Sequence, residues 1–139
     1  MKTILVPFFD DDSGEADIMA KAAMSTALQI ANIFNSHIEG LFVRGTPVTG
    51  VAPVEISPRY LDGYREYWDE SCAKARVRFS SFMASHDIPV HKIGDTSDVT
   101  TAGWRETEGS RPRTVGEYGR LFDLIVIPRV PDRSDDAWM

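Results

Sequence analysis

Cysteine is nearly absent from this chain, with Cys72 the only one in 139 residues. A lone thiol excludes an internal disulfide and suits a reducing compartment, so a cytoplasmic location is expected. Long apolar runs are missing as well. None approaches the ~20 residues that a membrane-spanning helix needs. The opening Thr3-Ile4-Leu5-Val6 is too short for a secretory signal, and Asp10-Asp11-Asp12 follows closely. Basic residues are in deficit. Fifteen lysines and arginines against 21 aspartates and glutamates give a formal charge of −6 and a pI near 5.0. Such a chain has no attraction for a phosphate backbone or an anionic lipid surface, so neither nucleic acid nor membrane is expected as a partner. There is no Gly-x-Ser-x-Gly, no Cys–His signature and no nucleophile–base–orienter set that the sequence assembles, so no catalytic residue is expected. His37, His86 and His91 lack metal-ligand spacing, and no metal site is expected from them.

What is present suits one globular domain. The apolar fraction is 42% and the charged fraction 26%, and a chain of this length buries a core without staples. Thr3 to Val6 reads as a strand buried on both faces, stopping at Pro7. Asp12 followed by Glu15 fits a capping box at a helix start. From Glu15 to Phe34 the period is helical. Asp17, Lys21, Ser25, Gln29 and Asn32 form a polar stripe opposite Met24, Ala27, Leu28, Ala31 and Phe34. Asn35-Ser36 breaks the pattern, and His37 to Val43 reads as a second strand. Residues 44–57 hold Gly45, Pro47, Gly50 and Pro53 and read as a loop.

Ser57-Pro58 opens a long second helix, with serine at the cap and proline in the first turn. Leu61, Tyr64, Trp68, Cys72, Ala75, Phe79 and Phe82 make its buried stripe, and it should end before Asp87-Ile88-Pro89. Cys72 therefore reads as an inert core thiol. Tyr60 and Tyr67 fall off the stripe and mark either packing or an interface. A third strand is expected from Val99 to Thr107, carrying Trp104-Arg105 as either a packing residue or a partner contact. Thr114 followed by Glu117 suggests a capping box and a short helix to about Phe122. Asp123 precedes a fully apolar fourth strand, Leu124 to Ile127, closed by Pro128.

The order β-α-β-α-β-α-β implies an α/β fold, a doubly wound parallel sheet with strand order 3-2-1-4 over residues 1–129, followed by a polar tail over 130–139. Ligands of such sheets bind where the connections reverse, outside the carboxyl ends of strands one and four. Asp10, Asp11 and Arg129 stand there and are the candidate nucleotide-binding residues. Asp10-Asp11-Asp12 also reads as a magnesium cluster or as a solvated helix cap.

The opening Lys2-Thr3-Ile4-Leu5-Val6-Pro7, the acidic loop ending in Ser13, the alanine-rich first helix, Ser36 to Val43 and Asp123-Leu124-Ile125-Val126-Ile127 together resemble the universal stress protein family. The resemblance is closest to the first half of two-domain members. It implies a five-stranded, Rossmann-like, adenine-nucleotide-binding fold, usually dimeric and cytoplasmic. Nucleotide-binding members carry G-x2-G-x9-G-[ST] after the fourth strand. Here Ile127 is followed by Pro128-Arg129-Val130-Pro131, and no glycine occurs after Gly119. The phosphate loop and the fifth strand of the family pattern are thus missing, or supplied by a partner, and ATP is not expected to bind this chain alone. Leu124, Ile125, Val126 and Ile127 would form an exposed apolar edge, covered by a second copy or a second domain. A regulatory or binding module without catalysis is the leading expectation. The alternatives are an ATP site completed by another chain and a phosphoacceptor receiver. A receiver needs an aspartate after its third strand, where this sequence has Glu106-Thr107. An adenylyl-transferring enzyme needs a His-x-Gly-His type motif in the first loop, which Asp10 to Gly14 does not supply.

Overall fold

A computed structural model describes residues 2–8, 15–45, 58–88, 90 and 99–128 of the chain. The elements run β1 (Thr3–Phe8), α1 (Glu15–Phe34), β2 (His37–Arg44), α2 (Pro58–Ser85), β3 (Thr101–Glu108), α3 (Arg111–Gly119) and β4 (Leu124–Ile125). The four strands form one parallel sheet in the order β3-β2-β1-β4, as the sequence pattern requires. The Asp12 and Ser57 caps, the side chain of Tyr60, His91 and the tail fall outside the described residues.

Alternation along the strands divides the core in two. Ile4, Val6, Phe8, Ile38, Phe42 and Ala102 face α1 and α2, where they meet Met24, Ala27, Ala31, Trp68, Cys72 and Phe79. Leu5, Leu41 and Val43 face the other way and pack against Val115 of α3, with Tyr118, Phe122 and Ile125 around them. Two long helices cover the first face, and a nine-residue helix covers the second.

Both long helices end in the same device. Asn35 (φ 51°) and Asp87 (φ 57°) adopt the left-handed conformation just past the last turn. The Ser36 N–H then donates to the Ala31 carbonyl at 3.0 Å, and the Ile88 N–H to the Met83 carbonyl at 2.9 Å. These are the reversed bonds of a Schellman ending, and buried Ile88 and Met83 supply its hydrophobic contact. Phe34 is the final residue of α1 and is 51% exposed, so it is not part of the buried stripe. The stripe is instead extended backwards by buried Ala20 and Ala23.

β2 runs one residue further, to Arg44, β3 spans Thr101–Glu108 rather than Val99 to Thr107, and α3 ends at Gly119 rather than about Phe122. Three further boundaries differ from the sequence pattern for a main-chain reason. β1 continues through Pro7 to Phe8, and β4 stops at Ile125 rather than Ile127. One cause explains both. The carbonyls of Thr3 and Leu5 accept from the Asp123 and Val126 amides, at 3.1 and 2.9 Å. Main-chain groups two residues apart in a strand point the same way, so those of Pro7 face β4 too. Proline has no N–H to offer there, so the ladder with β4 cannot continue while the one with β2 can. The third difference is α3, which opens at Arg111 with Ser110 as its N-cap and a proline in its first turn. Thr114 is then interior and buried, and its amide donates to the Ser110 carbonyl at 2.9 Å. Pro112 in the first turn costs no hydrogen bond, which favours this start over a cap at Thr114.

The Asp123 carboxylate ties together the starts of the neighbouring strands β1 and β4. It accepts the amides of Lys2 at 2.7 Å and Thr3 at 3.1 Å. Those two bonds favour the ionised form and hold the Asp123 pKa below the ordinary aspartate value.

Candidate functional site

The switch point lies where β1 and β4 end side by side. Asp10, Asp11 and Arg129, the candidate nucleotide-binding residues, are outside the described residues. What the structure places beneath that end of the sheet is an aromatic floor. Phe8, Phe79 and Trp104 pack as a trio, with ring centroids 5.2–5.8 Å apart. Trp68 sits beside it, 6.0 Å from Phe42 and 6.1 Å from Tyr64. Glycines make room for both indoles. A Cβ on Gly40 would stand 2.6 Å from Trp104 Cε3, and one on Gly45 2.7 Å from Trp68 Cζ2. Gly40 and Trp104 are paired across β2 and β3, so the indole of Trp104 lies over the gap that Gly40 leaves. Trp104 is therefore a packing residue of the core.

Both indole Nε1 groups are buried without a hydrogen-bond partner among the described residues. Arg44, at the end of β2, is engaged by Asp69 at 2.6 Å. Tyr67, 38% exposed, packs its ring edge-on to Trp68 at 5.3 Å.

At the sheet edge, Leu124, Ile125 and Val126 are half-buried and pack inward. Ile127 is 43% exposed and Leu121, just before the strand, 74% exposed. The apolar edge of the fold is therefore centred on Ile127 and Leu121. Sequence reasoning missed Leu121 because it placed that residue inside the short helix, which in fact ends at Gly119.

A second polar group lies on the α3 face. His37 Nδ1 is 2.8 Å from Thr101 Oγ1, and His37 Nε2 is 2.7 Å from Glu39 Oε2. Arg105 Nε is 4.0 Å from the other Glu39 oxygen, and its guanidinium lies 5.4 Å from the centre of the Tyr118 ring. Hydroxyl, imidazole and carboxylate are in line, a set the sequence did not reveal because Thr101 is 64 positions from His37. Alternation along β2 does place His37 and Glu39 on one face, and that is the signal that was available. Thr101 is 4% exposed and Glu39 3% exposed. A hydroxyl so buried has no approach for a substrate carbonyl, and the arrangement satisfies a buried carboxylate.

Cys72 lies in the core as its position in the α2 stripe implies. Its Sγ–H donates to Glu106 Oε1 at 2.6 Å. Burial first, and the adjacent carboxylate second, push the thiol pKa from 9.0 up to about 12. Among the described residues no three histidine, cysteine, aspartate or glutamate side chains converge as a metal site. No helix among them is long and apolar enough to cross a membrane.

This architecture defines a doubly wound α/β protein of the Rossmann-like class, with its topological switch point between β1 and β4. No protein-family model and no curated protein matches the sequence. Solved structures do match the fold. A universal stress protein UspA from Lactobacillus plantarum superposes with a TM-score of 0.65 at 20% identity, over 96% of this chain and 83% of that one. A universal stress protein family member from Burkholderia pseudomallei gives 0.50 at 18% identity, over 92% and 81%. The fold is thus that of the universal stress protein structures, as the sequence resemblance implied.

Proposed function

We propose that this chain is a universal stress protein-like regulatory or binding module of the cytoplasm. It performs no catalysis, and it acts by covering its β4 edge with a second copy of itself. The observation that carries this reading is the edge itself. β4 pairs with β1 through only Leu124 and Ile125, and the apolar side chains of Leu121 and Ile127 flank it in the open. An apolar sheet edge of this kind is a template for association unless a partner covers it. The stress-protein reading adds the fold match and the arrangement of residues 1–129.

The same reading holds that no triphosphate binds this chain alone. Pro128-Arg129-Val130-Pro131 stands where a glycine-rich loop would cradle phosphates, and proline has no amide hydrogen to give. β3 ends in Glu106-Thr107-Glu108, so a receiver's acceptor aspartate has no counterpart there. Catalysis finds no support in the Thr101–His37–Glu39 line, whose hydroxyl is enclosed.

Light scattering on the purified chain, with and without ATP and magnesium, tests both parts. A dimer mass that ATP leaves unchanged, and that Ile127→Asp converts to monomer, is the expected result. A monomer would put the covering partner on a second domain of the same fold and refute self-association. Dimerisation that requires ATP would refute the phosphate-loop reading and return Asp10, Asp11 and Arg129 to a binding site.

A further inference from the structure

The outer surface of the α1–α2 pair carries a groove of about 380 Å³, on the opposite face of the sheet from α3. Lys21 and Met24 of α1 and Val77, Arg78, Ser81, Phe82 and Ser85 of α2 form its walls among the described residues. Its character is mixed in a particular way. Met24 is buried and forms a floor with half-buried Phe82, while Val77 is 63% exposed. Among its apolar walls, Val77 of α2 therefore meets solvent most openly, above the Met24 and Phe82 floor. The charged residues among these walls are both cationic, although the whole chain carries −6. Arg78 is also engaged within the chain, so Lys21 is the cation on which the argument rests.

An apolar trough with a cationic rim fits a molecule with an alkyl body and an anionic head. Its volume falls in the range of small-molecule sites, about 300–1,000 Å³, and is too small for a folded partner. We propose that this groove binds a medium-chain carboxylate. The alkyl chain lies along Met24, Val77 and Phe82, and the carboxylate meets Lys21. The Ser85 hydroxyl already donates to the Phe82 carbonyl at 2.7 Å, so it contributes no donor to the head group. The site is independent of the β4 edge and of the nucleotide end, and its failure would leave the proposed function untouched.

The test is a titration of the full chain with octanoate, decanoate and uncharged decanol, all below micelle-forming concentrations, followed by amide chemical shifts and calorimetry. Shifts should cluster at residues 21, 24, 77, 81 and 82. Affinity should tighten by up to about twofold per added methylene, about half the effect of full burial, because the groove is open on one side. Lys21→Glu should weaken decanoate about tenfold and leave decanol unchanged. Val77→Asp should weaken both. Both variants change exposed positions, and circular dichroism checks that their helix content is kept. Shifts scattered over the surface, equal affinity for decanol and decanoate, or a Lys21→Glu variant that binds decanoate as well as the parent would each overturn the proposal.

Discussion

Alanine in place of Gly40 should destabilise the fold by about 2–3 kcal/mol, near the upper end of the range for overpacking a core. The new methyl carbon would lie 2.6 Å from Trp104 Cε3, 2.8 Å from Trp104 Cζ3 and 2.9 Å from Phe79 Cδ2. Carbon atoms in comfortable contact are about 3.5–4.0 Å apart, so two rings must each retreat by roughly an ångström. Neither is free to do so. Trp104 is 5.2 Å from Phe8 and 5.3 Å from Phe79, and Phe8 is 5.8 Å from Phe79, so the displacement passes around the whole trio. The same chemical change at Gly63 or Gly116 should have the opposite sign. A Cβ there meets nothing within 4 Å, both positions are exposed within helices, and alanine is the better helix former by up to ~1 kcal/mol. Urea unfolding followed by tryptophan fluorescence reads all three variants, with an unchanged m-value as the check that only stability has moved. The Gly40 variant should also melt roughly 6–10 °C lower. A Gly40→Ala protein within about 0.5 kcal/mol of the parent, below the usual range for overpacking, would refute the reasoning. Three variants shifting in the same direction would refute it equally.

The other predictions concern charge and protonation. Asp123→Asn should flatten the acid limb of the stability curve. The depressed pKa of Asp123 means its contribution is complete above the unfolded value of about 3.9 and fades as pH falls through the folded one, so parent and variant should converge at low pH. Cys72 should resist Ellman's reagent at pH 8 in the folded protein. With a pKa of about 12, roughly one thiol in 10⁴ is ionised, against about a tenth of thiols at the ordinary value of 9.0. Full reactivity should return in urea, and rapid native labelling would show that the Glu106 contact is wrong. His37→Ala should cost about 2–4 kcal/mol, because it strands the buried Glu39 carboxylate with only Arg105 at 4.0 Å. Changing both His37 and Glu39 to leucine should cost less than His37→Ala alone in the same unfolding assay, since no charge is then left buried.

The strand order was legible because three apolar runs, two strongly periodic helices and the crossover rule leave few arrangements for the weaker third strand. The helix ends were legible too, since Asn35 and the turn before Pro89 interrupt the stripes on α1 and α2. Where the pattern failed, a main-chain property competed with it. Pro7 ended the β4 ladder from the neighbouring strand, and Pro112 drew the cap of α3 from Thr114 four residues earlier, to Ser110. Of the candidate edge residues, Ile127 is exposed, while Leu124 to Val126 turn inward. The Thr101–His37–Glu39 line and the α1–α2 groove were not visible, because each depends on side chains brought together from distant parts of the chain, and Leu121 was hidden by the misplaced end of α3.

The hydrogen bonds from Lys2 and Thr3 to Asp123 span 120 positions or more, and this has a consequence for synthesis. The segment from α1 to β3 consists of neighbouring strand–helix units that can associate as they leave the ribosome. β1, though first to emerge and central in the finished sheet, has one of its two neighbours delivered last. Until residue 125 is clear of the exit tunnel, the β4 side of β1 has only solvent or another nascent chain to pair with. The interval between translating β1 and translating β4 is therefore when this protein is most exposed to pairing with the wrong strand. A chaperone that held residues 3–8 during that interval would change its yield more than its final stability.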